Sequence, residues 1–249
     1  MARTRGWPQA LVPWGLDSGG FTEVTTYGEW RTGPVEYVHA VRRYVREVGK
    51  MDFASQQDWM CEPFALAKTG KSLREHQELT VQNYLELKNL DPDLPFMPVL
   101  QGWKLDDYLR CIDMFYKAGI KLEECERVGV GSVCRRQKTK EIIEIVRGIQ
   151  GTRQTFKLHM FGVKKMGLRM VHDLIKSSDS MAWSLEASRA KRKARPTCTH
   201  KTCSSCIYAA IDSYINMVWE GIPRPHQAEL ILLADMKEYA KVPTCLSTT

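Results

Sequence analysis

A chain of 249 residues that is 43% apolar can bury one sizeable core, or one domain with an inserted module, while its apolar runs fall far short of the ~20 residues that span a bilayer. The formal charge of +7 favours a polyanionic partner. Eight cysteines, five scattered and three clustered, exclude a disulfide framework and point to reduced thiols with one metal site. The first ten residues carry basic side chains but no apolar stretch of a signal peptide, so a cytoplasmic protein is expected.

The apolar run Leu11 to Leu16 reads as a buried strand ending in Asp17, followed by Ser18, Gly19 and Gly20. Paired glycines let a backbone turn sharply and approach a ligand. Val38, Val41, Val45 and Val48 recur at helical spacing, with Gly49 as the stop. Residues 51–58 read as a second strand ending in Asp58. Ser72 and Glu75 form a capping-box pattern that opens a helix to about Leu87. Residues 96–102 read as a third strand ending in Gln101 and Gly102, and Leu105, Leu109 and Ile112 stripe the next helix as far as Gly119. A fourth strand is expected over 127–133, a helix from Thr139 through Ile142, Val146 and Ile149, a fifth strand over 156–163, a helix through Leu168, Val171 and Ile175, and a sixth strand over 177–184.

Strands alternating with helices are the pattern of repeated βα units on a parallel sheet. Parallel strands would bring Asp17, Asp58, Gln101, Gly131, Gly162 and Asp179 to one rim, where α/β proteins place their chemistry.

The texture changes at Arg189. The stretch ASRAKRKARPTCTHK holds six Lys or Arg and no acid, the composition of a solvated linker or of a phosphate-contact surface through Arg189, Lys191, Arg192, Lys193 and Arg195. A second basic cluster, Arg135, Arg136, Lys138 and Lys140, follows the fourth strand. Cys198, Cys203 and Cys206 then present three soft ligands within nine residues. Three thiolates and one imidazole make a closed tetrahedral zinc site. His226 is the preferred fourth ligand, because a helix-borne histidine would tie the last two helices together, and His200 inside the cluster is its rival. Ile207, Ile211, Tyr214 and Val218 stripe the helix that follows.

The order of these pieces resembles the tRNA-guanine transglycosylase superfamily. DSGGF, QQDWMC, LQG, VGVGS and FGV leading to SSDSMAW stand in its motif order from about residue 6 to 240, followed by the Cys/His site. The form Asp179-Ser180-Met181-Ala182-Trp183 is similar to the DNA deazapurine transglycosylases of phages and bacterial modification islands, which exchange guanine in DNA for a 7-deazaguanine. Ala182 stands where the superfamily has a second carboxylate, and the cysteine spacing is wider than usual.

The resemblance implies an α/β fold with a TIM-like (β/α) barrel, here shortened or incomplete, over residues 1–188. It implies a basic linker, a structural Zn2+ module and C-terminal helices over 189–249. It makes Asp179 the nucleophile at C1′ and Asp17 the general acid/base. Asp58 would accept from guanine N1–H and the exocyclic amine, Gln101 and the Gly131 backbone would read O6, and Phe21 would stack on the base. Ser18, Gly19, Gly20 and Gly102 would line the pocket. The expected function is base exchange on DNA with a 7-deazaguanine base as small-molecule substrate. Action on tRNA is one alternative, and a non-catalytic zinc-containing nucleic-acid-binding protein is the other. A rim of carboxylates repels phosphate and argues against the latter.

Overall fold

The computed structural model of the chain describes Trp7 and residues 9–133, 139–152, 155–163, 165–190 and 193–219. Strand β1 (Trp14–Leu16) is shorter than the run Leu11 to Leu16. Proline has no N–H for a ladder, and hydrogen bonds bracket Pro13, from Ala10 N–H to the Val48 carbonyl (2.8 Å) and from Trp14 N–H to the Lys50 carbonyl (3.2 Å). Leu11 and Val12 stand in solvent as a result.

β1 pairs in parallel with β2 (Met51–Ser55), and β2 with β3 (Phe96–Met97). A second sheet runs β4 (Val99–Leu100), β5 (Val128–Val130), β6 (Leu158–Met160) and β7 (Ser177–Ser178), again parallel and in chain order. The expected third strand is thus split at Pro98. Its first half bonds to β2 and its second half to β5, while the Pro98 carbonyl accepts from Gly129 N–H at 2.8 Å. The split is a hand-over between neighbours, and it keeps the strands in one sequential row.

The row curls. The ring of Phe53 on β2 lies 4.8 Å from that of His159 on β6, and a Cβ on Gly15 of β1 would lie 2.2 Å from Phe53 Cζ. Among the described residues no ladder joins β7 to β1. The structure therefore establishes a mixed α/β fold with parallel sheets.

Helices cover the strands. α1 (Gly20–Tyr27) and α3 (Pro63–Thr69) carry no strong periodic signal and are short. α2 (Pro34–Glu47) starts with proline at a position that needs no N–H. It buries Val38 and Val41, but Val45 is exposed. α4 (Leu73–Leu90) opens on the expected capping box: Glu75 N–H donates to Ser72 Oγ (3.2 Å) and Ser72 N–H to Glu75 Oε2 (2.7 Å).

α5 (Leu105–Lys117) buries Tyr108, Cys111, Ile112 and Phe115, a face turned from the Leu105–Leu109 stripe. Leu105 instead fills the space over Gly148 of α6 (Thr139–Gln150), where a Cβ would meet it at 2.4 Å. α6 and α7 (Lys165–Val171) bury Ile142, Val146, Ile149, Leu168 and Val171 as their patterns require. Val99, Leu100, Val128, Val130, Leu158 and Met160 are fully buried beneath these helices, as in parallel sheets covered by crossover helices.

The expected strand over 177–184 is corrected. Only Ser177 and Ser178 pair, and the chain enters α8 (Ala182–Ala190) after a turn in which Ser180 Oγ accepts from Ala182 N–H (3.3 Å). α8 packs on α9 (Ile207–Trp219), which follows the cysteine cluster. Ile207 and Tyr214 of the expected stripe are exposed, and Tyr208 is the side chain buried against the cysteines.

Candidate functional site

Three carboxylates converge where β1, β2 and β7 end. Asp17 follows β1, Asp58 follows β2 and Asp179 follows β7. Gly19 takes φ +79°, a conformation glycine adopts at little cost, and lets the chain turn from Asp17 into α1. A Cβ on Gly20 would lie 2.8 Å from the Trp30 ring, whose Nε1–H donates to the Asp58 carbonyl (3.2 Å). The two glycines thus set Asp17 and Asp58 side by side.

Asp17 and Asp179 each keep a face open to solvent. Burial first, and the charge of Asp179 second, hold the Asp17 carboxyl above the usual range, against backbone hydrogen bonds from Gly19 and Ser18. Burial also raises Asp179, against the Gly162 N–H that donates to its Oδ1 at 2.7 Å. Asp58 is buried. Desolvation, then the charge of Asp17, push its carboxyl up to about 7, opposed by a hydrogen bond from Gln101.

His159 Nε2 lies 3.8 Å from Asp179 Oδ1. Burial and the nearby Arg127 charge lower the imidazole to about 4, so at neutral pH this contact is no ion pair. Tyr37 stands behind the rim, its hydroxyl donating to the Ser55 carbonyl (2.6 Å) and its ionisation opposed by burial, Asp17 and Asp58.

Gln101 and Gly131 meet here in a different way from that expected. Gln101 is fully buried. Its Nε2 donates to Asp58 Oδ2, and its Oε1 accepts from Ser132 Oγ (2.6 Å). The Gly131 backbone is hydrogen-bonded within the protein. Its N–H donates to the Leu100 carbonyl (3.0 Å) and its carbonyl accepts from Tyr108 Oη (2.8 Å). Gly131 acts through space, because a Cβ there would lie 2.2 Å from Gln101 Nε2. Gly102 serves the same end, pressed against the start of α5 with Tyr108 N 2.9 Å from its ideal Cβ.

Ser18 Oγ is a buried hydroxyl without a hydrogen-bond partner among the described residues. Phe21 is 42% exposed and stands edge-on to Phe64 with centroids 6.1 Å apart. Sequence reasoning missed Ser132, Glu62, Tyr37 and His159. Ser132 follows the VGVG run directly, but nothing in its identity signals φ +56°.

The second cluster holds Cys198, His200, Cys203 and Cys206, whose ligand atoms all lie within 4.8 Å of one another. His200 Nε2 is 3.0 Å from Cys203 Sγ, and Cys198 Sγ is 3.7 Å from Cys206 Sγ. These separations suit a tetrahedral ion with Zn–S near 2.3 Å and Zn–N near 2.0 Å. Cys206 lies at the start of α9. Burial raises its thiol, but backbone N–H groups of Ala209 and Tyr208 and the neighbouring thiols outweigh burial and lower it, which favours the thiolate a metal needs. The donor set fits zinc. His200 is its fourth member among the described residues, and His226 lies outside them.

Of the basic run, Arg189 and Lys193 are exposed, while Lys191 and Arg192 lie outside the described residues, as do Arg135, Arg136 and Lys138. Arg195 is engaged within the protein. It donates to both oxygens of Asp212 on α9 at 2.6 Å and stacks over Tyr208, clamping the metal loop to the helix.

Together these features define a class, a parallel α/β protein with a carboxylate rim beside a Cys3His cluster of zinc type. The chain belongs to the DpdA family, DeoxyPurine in DNA protein A, which matches residues 1–239. Membership ties it to a transglycosylase family and makes DNA its partner. No curated protein matches the chain. Among the described residues no helix is long and apolar enough to cross a membrane.

Proposed function

We propose that the protein exchanges guanine in DNA for a 7-deazaguanine base through a covalent intermediate on Asp179. The observation that carries this reading is the convergence of Asp17, Asp58 and Asp179 at one recess, with family membership supplying the polymer. A carboxylate suits attack on a carbon with oxocarbenium character, as in retaining glycosidases. Asp179, open to solvent on one face, attacks C1′ of the target nucleotide. Burial first, and the charge of Asp179 second, raise the Asp17 carboxyl, which suits it to protonate the leaving purine and take the proton back from the incoming one.

Asp58, held by Gln101, accepts from the guanine N1–H and amino group when ionised. The target base must leave the duplex stack to reach the recess. Phe21 offers an exposed ring to stack on it. Zinc held by Cys198, Cys203, Cys206 and His200 supplies a folding clamp, since four protein ligands leave no open position for water. The module of 189–249 then acts with the strand-and-helix body of 1–188, and Arg189 and Lys193 contact flanking phosphates.

Labelled guanine incubated with the protein and duplex DNA tests the reading, with tRNA as the second arm. Label is expected in DNA. Label in tRNA alone would assign the other polymer, and label in neither would overturn base exchange.

A further inference from the structure

Arg127 before β5, Ser177 on β7 and His159 on β6 form a line of side chains that ends at Asp179. Arg127 Nη1 donates to Ser177 Oγ at 3.1 Å, while its Nε and Nη2 donate to Asp52. Ser177 Oγ lies 2.9 Å from His159 Nδ1, and His159 Nε2 lies 3.8 Å from Asp179 Oδ1. His159 is 4% exposed, and the rings of Phe53 and Phe161 flank it with centroids 4.8 Å and 4.9 Å away. Base exchange as set out above uses none of the three side chains in this line.

We propose that His159 is a positioning residue for the nucleophile: Ser177 donates to Nδ1, the ring hydrogen therefore sits on Nε2, and this N–H joins the Gly162 N–H at Asp179 Oδ1, which makes Oδ2 the oxygen that attacks C1′. The inference rests on the reading of Asp179 as the nucleophile given above. In the first half of exchange, Oδ2 bonds to C1′ as the bond from C1′ to the purine nitrogen breaks. That electron pair leaves with the purine, which takes a proton from Asp17. In the second half, the incoming base nitrogen bonds to C1′ and gives a proton to Asp17, the C1′–Oδ2 bond breaks, and its electron pair returns to Asp179. Negative charge thus reappears on the carboxylate, and donors already fixed at Oδ1 stabilise it without rearranging.

The polarity of the line follows from its first member. A guanidinium has no lone pair to accept with, so Arg127 is the donor at Ser177 and the serine oxygen is the acceptor. The hydroxyl keeps its own hydrogen for Nδ1. Burial first, and the Arg127 charge second, lower the imidazole to about 4, so at pH 7 the ring is neutral and carries one hydrogen. With that hydrogen on Nδ1, Arg127 and His159 would both donate to Ser177 Oγ, and the Nε2 lone pair would face the Asp179 carboxylate. With it on Nε2, every contact in the line pairs a donor with an acceptor. The 3.8 Å to Oδ1 is longer than a hydrogen bond, as catalytic contacts often are before substrate tightens them.

The test begins with NMR of the full chain labelled with nitrogen-15 at histidine. Long-range proton–nitrogen correlations show which imidazole nitrogen bears the hydrogen, and the His159 signals are assigned by their loss in His159→Gln. At pH 7 the hydrogen is expected on Nε2, with Nδ1 bare. A hydrogen on Nδ1, or on both nitrogens, overturns the proposal. In Ser177→Ala the Nδ1 resonance is expected to move toward that of a nitrogen without a donor, and an unmoved resonance overturns the proposal too.

Exchange kinetics with labelled guanine and duplex DNA read the consequence. His159→Gln keeps an N–H donor on a side chain of similar reach, and His159→Leu has none. In the Leu variant kcat is expected to fall about tenfold with KM unchanged, the equivalent of one hydrogen bond to a charged group, and the Gln variant is expected to recover most of the loss. Equal losses in the two variants, or a loss in neither, would show that the N–H does nothing for Asp179 and overturn the proposal. Should His159→Leu fail to fold, the wild-type spectrum decides. The two levels of inference separate cleanly. A wild-type chain that exchanges no base but carries the hydrogen on Nε2 refutes the reading of Asp179 and leaves the polarity of the line standing.

Discussion

At the scale of single residues, the rim divides its work by environment. Asp179 has an open face and accepts backbone hydrogen bonds from Gly162 and its own N–H, and Asp17 has its carboxyl raised by burial first and by the charge of Asp179 second. Replacing Asp179 by Asn removes the proposed nucleophile and leaves the Gly162 hydrogen bond an oxygen to donate to. Exchange is expected to fall at least about a thousandfold, with no covalent adduct on a guanine-containing oligonucleotide by denaturing electrophoresis. An adduct of normal yield would move the nucleophile to Asp17.

Asp58 supplies a second prediction through linkage. Its folded-state value is raised from 3.8 to about 7, so the folded chain binds more protons than the unfolded one across that window. The stability this provides is complete below about pH 4 and is lost as pH rises through 7. Asp58→Asn removes the titration. Relative to the wild type the variant should therefore gain stability between pH 5 and pH 8, read as urea midpoints at the two pH values. A difference that does not change with pH would mean that Asp58 titrates as an ordinary carboxyl.

At the scale of elements, short strands place the chemistry and glycines make the room. β5 ends in Gly131, whose missing Cβ is the space that Gln101 Nε2 occupies. Gly131→Ala should cost about 1–3 kcal/mol in denaturant unfolding and weaken guanine binding, because Gln101 must swing away from Asp58. Ser72→Ala is the contrast. It removes the capping box of α4, a bond pair made between Ser72 and Glu75 alone, and should cost about 1 kcal/mol while leaving exchange unchanged. Much of this was legible from spacing: the caps, the strand ends and the helix order are local patterns. The split at Pro98 and the hidden face of α5 were not, because both depend on which neighbour the segment meets.

At the scale of the whole molecule, the metal loop and the polymer surface are separate devices. Stripping zinc by chelation, or Cys203→Ser, should lower the melting temperature, and elemental analysis of protein purified without chelator should find one zinc per chain. Arg195, locked on Asp212, belongs to that clamp, so Arg195→Ala should lower the melting temperature and leave the salt dependence of DNA binding unchanged. Arg189 and Lys193 face solvent. Replacing both by Ala should reduce the log–log salt slope by about 1.4 to 1.8 if both touch phosphate, with preference for guanine retained. An unchanged slope would make that stretch a plain linker.

The sequence alone determined the alternation of strands and helices, the polar residue closing each strand, the three-thiol cluster and the family, because these are written in contiguous spacing and residue type. The tertiary structure decided which of those residues act on one another. Only the curl of the strand row sets Asp17 beside Asp179. Only burial lifts Asp58, and only the fold places Ser132 between Gln101 and Glu62, residues that are 31 and 70 positions away. Distance along the chain says nothing about charge–charge proximity or desolvation, and those two quantities set the proton on each carboxyl of this site.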